Sequence, residues 1–441
     1  MKTPWLKTVI AVAAGALSTQ ALAAGFALNE QSISGMGTSF AGRSSSADDA
    51  TTLFGNPAGM ARLKREEVSF GVAALHAKTD IKNSSGTFSG PAVGGQTVPY
   101  GGSNDGDMVP FTAVPMGYYV KPIDDKWAVG VGVYVPFGLA TDYESGYEGR
   151  YFGDYSEVAV ITVQPTVSYR FNEKLSIGFG PTINHIEGEL QSASPGGAAG
   201  DGRVKVTGDD TALGFNAGLL YEFTPHTRAG ITYHSKVKYK LEGDTKLSGA
   251  GFDQYAAAGI QVSGKYDASL DLDTPESIDV SITHDLNDQW TLYAGAMWTR
   301  WSRFEAIIIE NEGIPAIVGG NLDPIVEDQD WHDTWSYAIG AAYKLNRNWT
   351  LRTGLAFDQS PTNNVHRSPR IPSGDRTAIS FGLAWNPTDD VTVDLAYTYL
   401  QEEEVDVSRS RSYQNGALVA NYDATFENSA HGFGAALSYR F

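Results

Sequence analysis

Few side chains in this sequence are spaced for covalent chemistry. There is no cysteine, which excludes disulfide and thiolate chemistry. Eight histidines are scattered among 51 acidic residues. They form no Ser–His–Asp motif and no metal-spaced cluster, and no phosphate-binding glycine loop is present. Asp48-Asp49 could hold a cation or pair within its own segment. The cations that stand out are Arg303, Arg352, Arg376 and His332, the last within Asp330-Trp331-His332-Asp333. Each guanidinium can hold a carboxylate, either of a ligand or of a neighbouring Asp. His332 is only partly charged at neutral pH. Asp330 and Asp333 either favour its charged form or simply pair with it and repel an incoming carboxylate. This is binding chemistry, and the expectation is a non-enzyme with no cofactor and no metal.

The remaining composition narrows the class. The chain has 441 residues and a formal charge of −19, so it repels phosphate and nucleic acid is not an expected partner. With 42% hydrophobic and 11% aromatic residues, it is too rich for disorder. Its mean hydropathy is negative, which argues against a helical membrane bundle but not against a membrane barrel, where only alternate residues face lipid. The N-terminus reads as an export signal over 1–23. Lys2 and Lys7 precede the apolar run Thr8 to Leu17, and Ala21-Leu22-Ala23 closes it as a cleavage site. No later run is long and apolar enough for a membrane helix.

From Glu66 onward the sequence alternates with period two. Phe433, Ala435, Leu437, Tyr439 and Phe441 share one face, and Gly434, Ala436, Ser438 and Arg440 share the other. Val391 to Tyr399, Ile379 to Trp385 and Trp335 to Tyr343 repeat the pattern. The second face is small or polar, as a lumen lining would be, and the bulky face suits lipid. Trp127, Tyr169, Tyr233, Trp290, Trp349, Tyr397 and Tyr399 fall near strand ends, as interfacial girdles require. About fourteen strands are predicted. The seventh is placed at 227–241, the eighth at 267–285 and the last at 429–441. Short connections such as Asn172-Glu173 alternate with long ones such as 191–210 and 242–266. The fold class is therefore all-β, a 14-stranded antiparallel transmembrane barrel over 66–441 with both chain ends on the periplasmic side. Residues 24–65 do not alternate. Phe26, Leu28, Ile33, Phe40, Leu53 and Phe54 need burial there, so the segment is expected inside the lumen as a plug, or hatch.

Several segments, in one order along the whole mature chain, carry a family resemblance. They include Ala24-Gly25-Phe26-Ala27-Leu28-Asn29-Glu30, Ser34-Gly35-Met36-Gly37, Ala47-Asp48-Asp49-Ala50 and Asn56-Pro57-Ala58. Further on come Trp301-Ser302-Arg303-Phe304, Phe357-Asp358-Gln359-Ser360-Pro361, and Ile371-Pro372 followed by Asp375-Arg376. With these the sequence resembles the FadL-type long-chain fatty-acid transporters of Gram-negative outer membranes. The resemblance implies passive uptake of hydrophobic molecules through a barrel whose hatch includes Ala24, Gly25, Phe26, Asn56, Pro57 and Ala58. It implies capture by long loops, with Phe252, Tyr255 and Ile260 as the apolar part, then an internal pocket. It also implies lateral exit through a kink in the third strand. Here that strand carries Val135-Pro136-Phe137-Gly138. Pro136 has no N–H to complete the ladder, and Gly138 adds local freedom; Pro165 in the fourth strand is a second interruption.

Lumen-side candidates for a head-group partner are His332, Arg303, Arg376 and Arg352, and the resemblance implies His332, at the start of the tenth strand, where the family has a basic residue. The expected partners are long-chain fatty acids or other hydrophobic small molecules, outer-membrane lipid and lipopolysaccharide, and the barrel-assembly machinery through the terminal Phe441. Transport of neutral aromatic or alkane hydrocarbons is the alternative within the family. A barrel enzyme and a general porin are the more distant ones.

Overall fold

The computed structural model describes residues 25–105, 107–320 and 322–441. The export segment 1–23 and Ala24 lie outside the described residues. Fourteen strands close into one antiparallel barrel. They are β1 Glu67–Ser89, β2 Thr112–Pro122, β3 Trp127–Asp142, β4 Tyr155–Arg170, β5 Leu175–Ser194, β6 Gly202–Thr224, β7 Thr227–His234, β8 Ser277–Asp285, β9 Trp290–Thr299, β10 Thr334–Lys344, β11 Trp349–Asp358, β12 Arg376–Trp385, β13 Val391–Glu402 and β14 Leu418–Arg440. Each barrel strand pairs with the next, and β14 returns to β1 from Arg440↔Glu67 to Val419↔Ser89. Closure leaves no open edge to be solvated in hydrocarbon.

Alternation explains why these segments are strands of a membrane wall. Ile339, Phe381, Leu395, Phe433 and Leu437 are exposed, while Ser380, Thr392, Asp394 and Ser438 between them are buried. Burial is thus inverted relative to a water-soluble sandwich. At the short-turn end the aromatics pair across strands: Trp127 with Tyr169 at 4.6 Å, Trp290 with Tyr343 at 4.7 Å and Trp349 with Trp385 at 5.8 Å.

The lumen is filled by the N-terminal residues. Short helices Ile33–Met36 and Thr52–Gly55 and a 3₁₀ turn Pro57–Arg62 pack Ile33, Met36, Leu53 and Met60 against Ala73, Val114, Tyr118 and Tyr134 of the wall. Each such fully buried side chain contributes roughly 1.5–3 kcal/mol. The small inward residues are small because this segment lies directly on them. A Cβ on Gly230 would run into the Ser44 carbonyl oxygen, and one on Gly354 into Thr38. Asn56 accepts from the Ala58 N–H at 3.0 Å and donates to the Ser44 carbonyl at 2.6 Å and to the Leu219 carbonyl of β6 at 3.0 Å. Asp49 accepts from Ser34 Oγ and the Thr51 N–H, and Asp48 lies 3.4 Å from Arg228. The Asp48-Asp49 pair therefore serves contacts of this segment.

Three strand placements differ most from the sequence reading. The predicted strands 227–241 and 267–285 are each broken, at Ser235-Lys236 and at Pro275-Glu276. Beyond the break Val237–Ser248 and Gly264–Thr274 form their own hairpin. The last strand also starts at Leu418, well before the predicted 429. Above the lipid both faces of a strand become polar, so the apolar-out signal that located the strands disappears while the ladder continues.

Candidate ligand-binding cavity

The third strand breaks where its proline stands. The β3–β4 register shifts between Tyr134 and Phe137, leaving Val135 and Pro136 opposite no partner. On the other side, the β2–β3 ladder ends at Gly117↔Val133. Residues Thr112 to Met116 of β2 pair with β1 but have no β3 partner among the described residues. The chain's own N-terminus takes up the freed backbone groups. Leu28 N–H donates to the Pro136 carbonyl and Gly138 N–H to the Phe26 carbonyl, both at 2.8 Å, and Ala27 bridges Phe137. Gln31 Nε2 donates to the Val135 carbonyl at 2.5 Å. The inward strand segment is thus held by the three residues Phe26 to Leu28, which act as a short added strand. On the lipid face Pro165 of β4 and Pro181 of β5 are exposed, and the β4–β5 ladder skips the residues between Val163 and Val167.

Phe26 is the centre of an aromatic floor. Its ring lies 4.9 Å from Trp301, 5.5 Å from Phe304, 5.8 Å from Phe137 and 5.9 Å from Trp331. Gly25 has φ +68, and a Cβ there would meet both tryptophan rings, so only glycine fits this approach. Above the floor is a cavity of about 840 Å³, its open mouth included, lined by Phe26, Leu139, Ile186, Leu241, Phe304 and Ile371 among others. Its size is that of a small-molecule site, and its wall is almost wholly apolar.

Among the described residues the cavity has one cation, Arg370, which lines it with Ser368 and Gln329; the carboxylates Glu157 and Glu189 line it as well. Arg370 Nη1 donates to the Tyr155 carbonyl at 2.8 Å and to Ser156 Oγ at 2.9 Å, and Nε lies 3.2 Å from Glu327. Arg411 holds the other oxygen of Glu327 at 2.7 Å. Burial alone would raise the Glu327 carboxyl, but the Arg370 and Arg411 guanidiniums outweigh it and hold the group below its usual range. Two guanidiniums share one carboxylate, and Arg370 Nη2 has no protein hydrogen bond among the described residues. Arg370 therefore keeps a donor free beside a largely apolar cavity whose lining also holds Glu157 and Glu189, and such a donor can take the anionic end of a long apolar molecule.

The expected head-group residues are not the ones brought to this cavity. His332 is exposed and does not line it; its backbone N–H donates to the Pro361 carbonyl. Its neighbour Trp331 is the buried residue of this loop and packs on Phe26, Trp301 and Phe304. Arg303 is engaged bidentately by Glu276, with Nη2 at 2.6 Å from Oε1. Arg376 lies deep in the lumen on Glu402 at 2.7 Å and borders other cavities. Arg352 pairs with Asp394 at 2.5 Å. For the arginines the neighbouring carboxylate is the partner. In the loop hairpin, Phe252 is not a groove surface. It is buried against Val204, Leu247 and Val262, with Tyr255 and Ile260 partly buried on the same cluster. Arg370 had no signal of its own in the sequence; Trp301 and Trp331 stood in quoted segments, but nothing in their spacing marks convergence from distant loops.

The fold agrees with what related proteins show. Residues 14–441 match the family model described as outer membrane protein transport protein (OMPP1/FadL/TodX), and the chain belongs to that family of outer-membrane proteins. It is 30% identical over 466 residues to the long-chain fatty acid transport protein of Salmonella typhi, covering 100% of this chain and 99% of the relative. Outer membrane protein P1 of Haemophilus influenzae is 28% identical, with 99% and 98% covered. Among solved structures, a Pseudomonas aeruginosa FadL homologue superposes with a TM-score of 0.83 at 26% identity, over 95% of this chain and 100% of that one. The toluene transporter TbuX of Ralstonia pickettii shares the fold, with a TM-score of 0.65 at 17% identity over 92% and 97%.

Proposed function

We propose that this outer-membrane protein takes up long-chain fatty acids by diffusion, through the apolar cavity and out through the break in β3. The observation that carries the reading is Arg370, the one cation among the described residues that line a largely apolar cavity, whose lining also includes Glu157 and Glu189. Lateral exit has a physical reason. Each CH₂ kept out of water is worth about 0.8 kcal/mol, so an acyl chain leaving the cavity passes more readily into lipid than into periplasmic water. The stretch Thr112 to Met116 of β2, which pairs with β1 but not with the inward β3, supports this route.

The chain is organised in this reading as a cleaved signal at 1–23, a hatch at 24–65 that blocks straight passage, and a barrel at 66–441. Both ends lie in the periplasm, and Phe441 addresses the barrel-assembly machinery. Lipopolysaccharide and outer-membrane lipid surround the wall. The protein is a channel and not an enzyme. A filled lumen argues against a general porin. Neutral hydrocarbons are the second reading, favoured by how little polar surface the cavity offers. Initial rates of oleate and toluene transfer into liposomes holding the purified protein test the choice. Faster, saturable oleate transfer supports fatty acids. Toluene transfer with no oleate transfer assigns the protein to hydrocarbons.

A further inference from the structure

A second cavity, on the short-turn side of the Phe26–Leu28 strand, differs from the first in chemistry. It encloses about 660 Å³ with its mouth and touches Ala27, Leu28, Pro136 and Phe137, so it adjoins both the N-terminal strand and the broken segment of β3. Its wall mixes apolar side chains such as Phe54, Val237 and Met297 with the polar groups of Asn184, Asn216, Thr162, Thr182 and Tyr134. In a chain of charge −19, this wall has Arg43 and His234 but no Asp or Glu among the described residues.

Arg43 is unusual among the lumen arginines. Arg352, Arg376 and Arg440 each hold a carboxylate. Arg43 Nη2 donates to Asn29 Oδ1 at 2.7 Å, Nη1 reaches only Met297 Sδ at 3.2 Å, and the guanidinium stacks 5.0 Å over Phe40. No carboxylate is within ion-pair distance of it among the described residues. Arg43 also lines two neighbouring cavities that do carry carboxylates, Glu30, Asp279 and Asp358 in one and Asp48 and Asp49 in the other; Asp279 is occupied by Ser44 Oγ. A half-buried guanidinium with neutral partners keeps donors available to an anion.

We propose that this lower cavity is an anion-receiving chamber, in which Arg43 takes the carboxylate of a fatty acid that has left the apolar cavity while its acyl chain passes the break in β3. The inference rests on the fatty-acid reading above and adds a second head-group station to it. Without such a station the carboxylate would cross the lumen stripped of water and unpaired, which is costly. With it, head and tail each keep a suitable environment as the molecule moves past the Phe26–Leu28 strand.

The test uses the full-length protein in liposomes, with Arg43→Gln and Arg43→Lys. Three quantities are read: equilibrium oleate binding, oleate transfer and toluene transfer. For Arg43→Gln, oleate transfer falls about tenfold, the worth of one charge-assisted hydrogen bond. Oleate binding and toluene transfer stay within about twofold, and Arg43→Lys restores most of the oleate rate. Unchanged oleate transfer in Arg43→Gln overturns the proposal. So does an equal loss of oleate and toluene transfer in both variants, which marks a disturbed hatch. If the unaltered protein binds no oleate at all, the fatty-acid reading itself fails and this inference with it.

Discussion

Replacing Arg370 by glutamine tests head-group recognition separately from tail burial. In the structure the guanidinium is fixed by the Tyr155 carbonyl, Ser156 Oγ and Glu327, with Nη2 left over. A hydrogen bond to a charged group contributes roughly 1.5–3 kcal/mol, so losing it weakens oleate binding roughly tenfold to a hundredfold. The tail contacts come from Ile186, Leu241 and Phe304 and do not change. Oleyl alcohol has the same tail and no charge, so its affinity falls by less than about threefold. Glu327 keeps Arg411 as a partner at 2.7 Å, which limits damage to the loops. Titration of the purified protein with both ligands, read by tryptophan fluorescence from Trp301 and Trp331, gives the two ratios. Equal loss for oleate and oleyl alcohol, or no loss for oleate, refutes the assignment of Arg370.

Other substitutions probe the parts around it. Pro136→Ala restores an N–H to the wall, and one extra hydrogen bond of about 1 kcal/mol slows oleate transfer up to about fivefold with binding unchanged; liposome transfer rates check it. Gly230→Val pushes into the Ser44 carbonyl and costs roughly 1–3 kcal/mol, which appears as a lower melting temperature together with higher ion conductance as the hatch loosens. Because the folded Glu327 carboxyl titrates below its ordinary value of 4.5, its ion pairs contribute fully above that value and are lost as pH falls through the lower, folded one. Protease sensitivity of the 322–330 loop therefore rises in that acid range, and Glu327→Gln abolishes the step. His332→Ala leaves oleate affinity within about twofold, as expected for an exposed side chain away from the cavity, and the same fluorescence titration reads it.

Much of the barrel was legible because lipid and lumen impose opposite demands on alternate residues. Phe381 and Leu395 on one face, and Ser380 and Asp394 on the other, declare the wall strand by strand. Pro136 was legible for a different reason: a missing N–H is a local property that no tertiary context restores. The hairpin Val237–Ser248 with Gly264–Thr274 was not legible as a separate unit. Above the lipid its outward residues, Lys238, Lys240 and Asp271, give no apolar stripe to follow. The cavity's cation was missed because Arg370 reaches it from a long loop, meeting Ser156 of β4 and Glu327 of another loop. Sequence spacing contains no record of that meeting. His332 lies in the loop just before β10, where no strand period says which side chain turns inward. Its segment does reach the cavity floor, but through Trp331.

The most direct test of the account is where a fatty acid sits. Crystals of the protein with a fatty acid brominated in mid-chain place the bromine by its anomalous signal. The account predicts the bromine in the cavity between Ile186, Leu241 and Phe304, with the carboxylate against Arg370. Bromine found only among the outer loops, with the cavity above Phe26 holding no ligand, would contradict it.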